Sequence, residues 1–156
     1  HEHGVLYDPL RQEIFGASRG QGAQLDGRRI RVSKRTTLEQ SLIGTGFPYR
    51  ANLEHIERYL KMLRAVMLES AGVRRPGSAA LDLCYVAAGR IDAFFELGLS
   101  KWDIAAGALI IREAGGRISD FHGGDGYLDS GNVVAGNPKT YAALSKLLAP
   151  FSAGVA

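Results

Sequence analysis

The stretch from Trp102 to Gly116, WDIAAGALIIREAGG, constrains the fold of this chain more than any other segment. Its apolar residues recur at steps of three and four, which predicts an α-helix with one apolar face. Glycine readily adopts the left-handed backbone that ends helices, so the pair Gly115–Gly116 predicts the helix end. Asp103 then falls at or just before the first turn, where a carboxylate either caps backbone N–H groups or points into a cleft. Taken alone, the position favours the cap.

The composition predicts one globular domain. The chain has 156 residues, of which 46% are hydrophobic and 22% charged, as in ordinary soluble proteins. No apolar run is long enough to span a membrane. The single cysteine, Cys84, excludes an internal disulfide, and the first residues lack the pattern of a signal peptide, so we expect a cytoplasmic location. The net charge of +3 indicates a nucleic-acid partner only weakly.

Alternation and turn residues predict the remaining elements. The first part is predicted to be an antiparallel meander, and a helical turn with a capping box is predicted at Thr37–Gln40. The predicted strands are Val5–Asp8, Glu13–Ser18, Ala23–Ile30, Leu42–Thr45, Gly72–Arg75, Ile91–Leu97, Arg117–Phe121 and Asn132–Ala135. The further predicted helices are Asn52–Ser70, Ala79–Ala88 and Lys139–Leu148. The apolar stripe of the first of these helices is predicted to contain Ile56, Tyr59, Leu60, Leu63, Val66 and Met67.

A basic run covers Arg28–Arg35, RRIRVSKR. Its charges alternate with Ile30 and Val32, which predicts a strand with one solvated face. A surface for RNA or another anionic partner is the alternative interpretation. No aromatic residue interrupts the run, so no platform for stacking bases is evident.

Small residues surround the start of the predicted helix Ala79–Ala88. Ser78 is a good N-cap, and Gly77 and Ala79 beside it would let another group approach the free N–H groups of the first turn closely. The sequence favours two interpretations of the approaching group equally: an oxygen-rich ligand, or a strand packed against the helix. Glu96 follows two aromatic residues near the end of a predicted strand. Its carboxylate is therefore either a surface group or one that faces a site.

Two long stretches resemble the inositol monophosphatase family, most closely its bacterial branch. They are WD-x-AAG-x-L-I-x-x-EAGG from Trp102 and RRPGSAALDLCYVAAGRIDAFFELGL from Arg74 to Leu99, and weaker similarity runs from VLYDP to GNVVAGNP. The family consists of magnesium-dependent, lithium-sensitive phosphatases of small phosphorylated polyols. The resemblance implies an α+β, layered αβαβα-type sugar-phosphatase fold. Residues 1–36 would be the end of its N-terminal antiparallel sheet region, and residues 37–156 its C-terminal α/β substrate-binding domain.

The resemblance also implies which residues form the site. Asp103 matches a catalytic metal ligand that binds Mg²⁺ and contacts the substrate. Glu96 matches a residue that accepts hydrogen bonds from substrate hydroxyls, and Gly77, Ser78 and Ala79 match the backbone that contacts the polyol. Trp102 is expected to be a packing anchor.

The other metal ligands of the family have no match in this sequence. Metal-assisted ester hydrolysis needs Mg²⁺ held by several carboxylates, which one aspartate cannot supply. The family draws them from a Glu-Glu motif and a D-P-x-D-G-T motif, and Asp8-Pro9 is the only Asp-Pro pair here and continues differently. We therefore expect this chain to be part of a longer protein and inactive alone. A metal pair of His122 and Asp125 lacks a third ligand nearby, so a glycine-rich loop is favoured there.

The function expected from the sequence is Mg²⁺-dependent hydrolysis of inositol monophosphate or a similar sugar phosphate, by a homodimer that does not associate with a membrane. Two alternatives stay open. The enzyme could be a fructose-bisphosphatase-like or nucleotide phosphatase of the same superfamily. The chain could instead be a non-catalytic module that binds RNA or a transcription complex through Arg28–Arg35.

Overall fold

The computed structural model describes residues 2–48 and 53–155, which form two β-sheets and several helices. The first sheet contains β1 (His3–Asp8), β2 (Glu13–Ser18), β3 (Gly22–Leu25) and β4 (Arg28–Ile30). The second contains β5 (Leu42–Thr45), β6 (Gly72–Arg74), β7 (Ala93–Glu96), β8 (Arg117–Ser119) and β9 (Val133–Gly136). The helices are α1 (Leu53–Glu69), α2 (Ala79–Ala87), α3 (Lys101–Glu113), α4 (Tyr127–Ser130) and α5 (Pro138–Leu148), with 3-10 turns at Leu38–Gln40 and Ala149–Phe151.

The first sheet is an antiparallel meander in the order β1-β2-β3-β4. The prediction of one strand over Ala23–Ile30 is wrong, because a two-residue turn divides it into β3 and β4. Asp26 and Gly27 both have positive φ values, 50° and 77°, which matches the twist of a tight hairpin. After Ile30 the basic run leaves the sheet, so its second half is not the strand that the alternation predicted.

The second sheet has the order β6-β5-β7-β9-β8. Strands β5, β6 and β7 are parallel to one another, whereas β9 runs antiparallel to β7 and β8. The carboxyl ends of the three parallel strands therefore meet at one edge of the sheet. Side chains alternate between its faces, and Phe94 faces α2 and α3 while Ile43 and Phe95 face α1 and α5.

The elements form four layers, in the order sheet, helices, sheet, helices. Helices α2 and α3 lie between the two sheets in one apolar core, and α1 and α5 cover the other face of the second sheet in a second core. A Cβ atom on Gly107 of α3 would lie 2.7 Å from the Cβ of Leu83 on α2, so this glycine lets the two helices pack closely. The α+β class and the layered arrangement expected from the sequence are confirmed.

Helix α1 presents a different face to the core than the sequence predicted. Tyr59 and Val66 are buried as expected, but Leu60 is 49% and Met67 62% exposed. Met62, which the predicted stripe did not contain, is fully buried instead. The buried line follows steps of three and four through these three core residues, and Leu60 and Met67 lie beside it. The first predicted residue, Asn52, lies outside the described part of the chain.

Two smaller differences concern local signals. The helical turn after Thr37 is present, but the Thr37 side chain makes no capping hydrogen bond, so the predicted capping box is wrong. Helix α4 was not predicted, because four residues are too few to show helical periodicity. Within residues 2–48 and 53–155, no helix combines the length and the apolar character needed to cross a bilayer.

Candidate active site

A cleft of about 880 Å³ opens at the carboxyl ends of the parallel strands. Thr45 and Gly46 reach it from the end of β5, Arg75 from the end of β6, and Glu96 and Leu97 from the end of β7. This edge is where open α/β sheets commonly bind ligands, because the loops that follow the strands diverge there. The five site residues named from the sequence, Gly77, Ser78, Ala79, Glu96 and Asp103, all line this cleft.

The amino end of α2 forms one wall. Ser78 is the N-cap as predicted, and its Oγ accepts a hydrogen bond from the backbone N–H of Leu81 at 3.5 Å. Gly77 and Ala79 flank it and also line the cleft. The positive end of the helix dipole and backbone N–H groups therefore face this space, where they favour oxygen-rich ligands.

The amino end of α3 forms a second wall of the cleft. This helix begins earlier in the chain than the sequence indicated. The N-cap is Ser100 and not Asp103, although the Asp103 carboxylate does accept a hydrogen bond from a backbone N–H group as predicted. Asp103 is the third helical residue, and its Oδ2 accepts a hydrogen bond from the backbone N–H of Ser100 at 3.1 Å. This is the reciprocal contact of a capping box, which orients the carboxylate. The side chain is half-buried and lines the cleft.

Trp102 is not the packing anchor that the sequence suggested. Its side chain is 81% exposed at the rim of the cleft. In the first turn of α3, Ile104 is the residue that is fully buried in the core. The indole ring is left on the outer side of the helix.

Glu96 lies half-buried at the last position of β7. It has the same parity along the strand as Phe94 and therefore lies on the face covered by α2 and α3. Burial raises the pKa of its carboxyl group to about 7, the nearby Asp82 carboxylate adds to this effect, and the Arg75 guanidinium opposes it. Near neutral pH the group is therefore present in both protonation states and can donate as well as accept hydrogen bonds.

Asp82 is a residue of the cleft that the sequence reasoning missed. It lies in α2, is 1% exposed and lines the floor of the cleft. Its Oδ1 atom has no hydrogen-bond partner among the residues that the structure describes. Burial raises the pKa of this carboxyl group to about 7, and Arg75 opposes the shift. The available signal was an acid in an otherwise apolar helix with no cationic residue three or four positions away.

The described residues do not by themselves form a magnesium centre. Within residues 2–48 and 53–155 no three His, Cys, Asp or Glu side chains are grouped closely enough to hold a metal ion. Asp103 therefore supplies at most one part of a ligand set. His122 and Asp125 are not a metal pair either: His122 Nε2 lies 2.7 Å from the carbonyl oxygen of Val155, and Asp125 forms an ion pair with Arg112 at 2.7 Å.

A second cleft, of about 480 Å³, opens at the amino ends of the same parallel strands. Leu42, Ala71 and Asp92 line it at the points where β5, β6 and β7 begin. Its rim is formed by residues 33–35 of the basic run and by the following Thr36. Asn137 fixes this rim, because its Nδ2 donates hydrogen bonds to Ser33 Oγ at 3.2 Å and to the Arg35 carbonyl oxygen at 3.0 Å. The cationic side chains at the rim are exposed.

Comparison with known proteins relates this chain to the inositol monophosphatase family. The model of the inositol monophosphatase family matches residues 2–153. The protein named Nus factor SuhB from Pseudomonas aeruginosa is 56% identical over 150 residues, which are 96% of this chain and 55% of that protein. The chain spans about half the length of the curated relatives it matches.

Solved structures support the same relationship. The extragenic suppressor protein suhB from Bartonella henselae has a TM-score of 0.89 at 48% identity, over 94% of this chain and 55% of that one. The inositol monophosphatase from Anabaena (Nostoc) sp. PCC 7120 has a TM-score of 0.86 at 37% identity, over 94% and 58% of the two chains. This chain therefore has the same fold as these two proteins over 94% of its length, at 37–48% sequence identity.

Proposed function

We propose a function that starts from the family, since this chain belongs to the inositol monophosphatase family. In this proposal the chain forms the polyol-binding part of a Mg²⁺-dependent phosphate monoester hydrolase. The substrate is inositol monophosphate or a similar sugar phosphate. In this proposal residues 37–156 are the substrate-binding domain and residues 1–36 belong to the sheet region that precedes it. The enzyme acts as a cytoplasmic homodimer and is inhibited by lithium.

The observation that carries this proposal is the convergence of three kinds of group at one sheet edge. Glu96 lies at the end of β7, the amino end of α2 presents Gly77 and Ala79, and Asp103 lies in the first turn of α3, all in one cleft. A carboxylate suits neighbouring hydroxyl groups, since it accepts hydrogen bonds on two oxygens. Backbone N–H groups at a helix start suit the oxygens of the same ligand.

The magnesium ion is only partly accounted for by this chain. Asp103 contributes one carboxylate, and the described residues do not bring two more ligands beside it. We therefore assign binding and orientation of the polyol to this chain and derive no step of ester cleavage through the ion. Consistent with this, we expect no Mg²⁺-dependent release of phosphate from inositol 1-phosphate by residues 1–156 alone.

Ligand binding tests the proposal directly. Isothermal titration with inositol 1-phosphate, with and without Mg²⁺, should give saturable binding to the wild-type chain. Glu96→Gln should weaken binding of the polyol, and Asp103→Asn should abolish any enhancement by Mg²⁺. Binding that is unaffected by both substitutions would refute the assigned roles, and turnover by the chain alone would refute the incomplete metal site.

A second candidate function is a non-catalytic role beside the transcription machinery. It is favoured by the names of the relatives, which call them Nus factors, and by the exposed cations of residues 28–35. Two of these cations, Lys34 and Arg35, line the second cleft. A labelled single-stranded RNA should then bind with an affinity that falls as salt rises. Lys34→Glu should weaken this binding, whereas Asp103→Asn should leave it unchanged.

The proposed homodimer also finds support in α1. Leu60, Met67 and Leu68 expose apolar side chains on one part of this helix, and exposed apolar groups of this kind mark contact surfaces when they are adjacent. Light scattering during size-exclusion chromatography should give twice the mass of 16.8 kDa. Leu60→Glu should return a single-chain mass if this surface forms the contact.

A further inference from the structure

Gly46 lies beside Glu96 because of the register between two parallel strands. Thr45 of β5 pairs with Phe95 of β7, so the next step along both strands brings Gly46 opposite Glu96. Neighbouring residues in register point to the same face of a sheet. A side chain at position 46 would therefore share the space that the Glu96 side chain occupies.

The structure leaves no room for such a side chain. A Cβ atom on Gly46 would lie closer than 3.0 Å to all three carboxyl atoms of Glu96, a separation that real Cβ atoms essentially never show. Gly46 is buried, and it is not among the glycines with positive φ. The backbone conformation therefore does not require glycine here. The absence of a side chain is what matters, because the Glu96 carboxyl group fills its place.

The residues around Glu96 explain why the position of its carboxyl group matters for ligand binding. The Asp82 carboxyl group and the Arg75 guanidinium are both close enough to influence its ionisation, and all of these residues line the same cleft. A carboxylate that can move freely loses conformational entropy when it binds a ligand, whereas a carboxylate held against the backbone of Gly46, just after β5, is already oriented.

We propose that Gly46 is a specificity-determining position of the cleft, which seats the carboxyl group of Glu96 where it binds neighbouring hydroxyl groups of a neutral polyol moiety. This inference rests on the proposed function for the identity of the ligand. Any side chain at position 46 would displace the carboxyl group from this position. Gly46 acts through Glu96 and is thus a positioning residue.

The substitution Gly46→Ala should separate binding from stability. The atoms that the new methyl group meets are the far end of a flexible side chain, so Glu96 can swing away and the melting temperature should stay close to that of the wild type. Loss of the hydrogen bonds between Glu96 and the hydroxyl groups should weaken binding of inositol 1-phosphate about tenfold or more. Gly72→Ala is the matched control, since its nearest neighbour would be Leu42 Cδ1 at 3.5 Å.

A double-mutant cycle identifies Glu96 as the group through which Gly46 acts. Aspartate is one methylene shorter, so Glu96→Asp vacates the space beside position 46. Adding Gly46→Ala to Glu96→Asp should then change the affinity for inositol 1-phosphate less than twofold, because the clash no longer exists. An equal loss in both backgrounds would show that the methyl group acts elsewhere and would overturn the proposal.

A measurement without ligand keeps this test independent of the proposed function. The side-chain carboxyl ¹³C resonance of Glu96, assigned by comparison with Glu96→Gln, should shift in Gly46→Ala and not in Gly72→Ala. If the wild type binds no inositol 1-phosphate, the proposed function fails. A shifted resonance would still support the inference that Gly46 positions the Glu96 carboxyl group. An unchanged resonance, or an unchanged affinity in Gly46→Ala, would overturn the inference.

Discussion

Replacing Asp82 by asparagine should make this protein more stable at neutral pH and leave it nearly unchanged at acidic pH. Asparagine has the shape of a protonated aspartic acid and cannot ionise. In the folded chain the Asp82 carboxyl group is buried, and its Oδ1 atom has no hydrogen-bond partner within residues 2–48 and 53–155. Ionising it there means placing a charge where water cannot solvate it.

The sign and the size of the change in the free energy of unfolding follow from the pKa of Asp82. Burial raises this pKa from 3.8 to about 7, so between these values the folded state binds more protons than the unfolded state. The wild type therefore loses stability as pH rises from 4 to 7, and the full loss is present above pH 7. A shift of about three units corresponds to an upper limit of roughly 4 kcal/mol. Interaction with Glu96, which titrates in the same range, spreads the change over a wider interval.

Urea unfolding followed by circular dichroism, at pH values from 4 to 8, measures this directly. The free energy of unfolding of Asp82→Asn should exceed that of the wild type by an amount that grows with pH, at an unchanged dependence on urea. Asp129→Asn is the control, because Asp129 is exposed and its hydrogen bond with Lys101 lowers its pKa. Parallel curves for Asp82→Asn and the wild type would refute the reasoning.

Two further predictions concern the cores. Gly107→Ala should lower the free energy of unfolding by about 1–3 kcal/mol, because the added methyl group would meet the Cβ of Leu83 at 2.7 Å; urea unfolding checks this, and an unchanged midpoint would contradict the close helix contact. Met62→Ala should cost about 2–5 kcal/mol, whereas Leu60→Ala should change stability by less than about 0.5 kcal/mol, since Met62 is buried and Leu60 half-exposed. Equal effects of the two substitutions would favour the sequence-based stripe over the observed one.

Local signals were sufficient for most of the elements. The predicted bounds of β2 and β5 agree with the structure, and Ser78 caps α2 as expected. These features depend on residues close together in the chain: alternating side chains, a glycine or proline turn, a hydroxyl at a helix start. The resemblance through Arg74–Leu99 and Trp102–Gly116 then implied the fold and the residues of the candidate site.

Features that depend on distant neighbours could not be predicted in the same way. The sequence contains the acid at position 82, but its burial is decided by the strands and helices that surround α2. The same holds for α1. Packing against the second sheet and α5 buries the face of this helix that contains Met62 and leaves Leu60 exposed. Glycine at position 46 is a further case, because its importance follows from the register between β5 and β7.

The two clefts lie at opposite ends of the same short strands, and this decides how binding experiments can be interpreted. Strands β5 and β7 each have four residues, so about 13 Å of backbone separates the clefts. Phosphate-containing ligands of either proposed function are both negatively charged, so one could be mistaken for the other in a direct titration. A competition experiment would distinguish the two clefts: under the proposals above, free inositol should displace a ligand from the cleft of Glu96 and leave a ligand beside Lys34 bound.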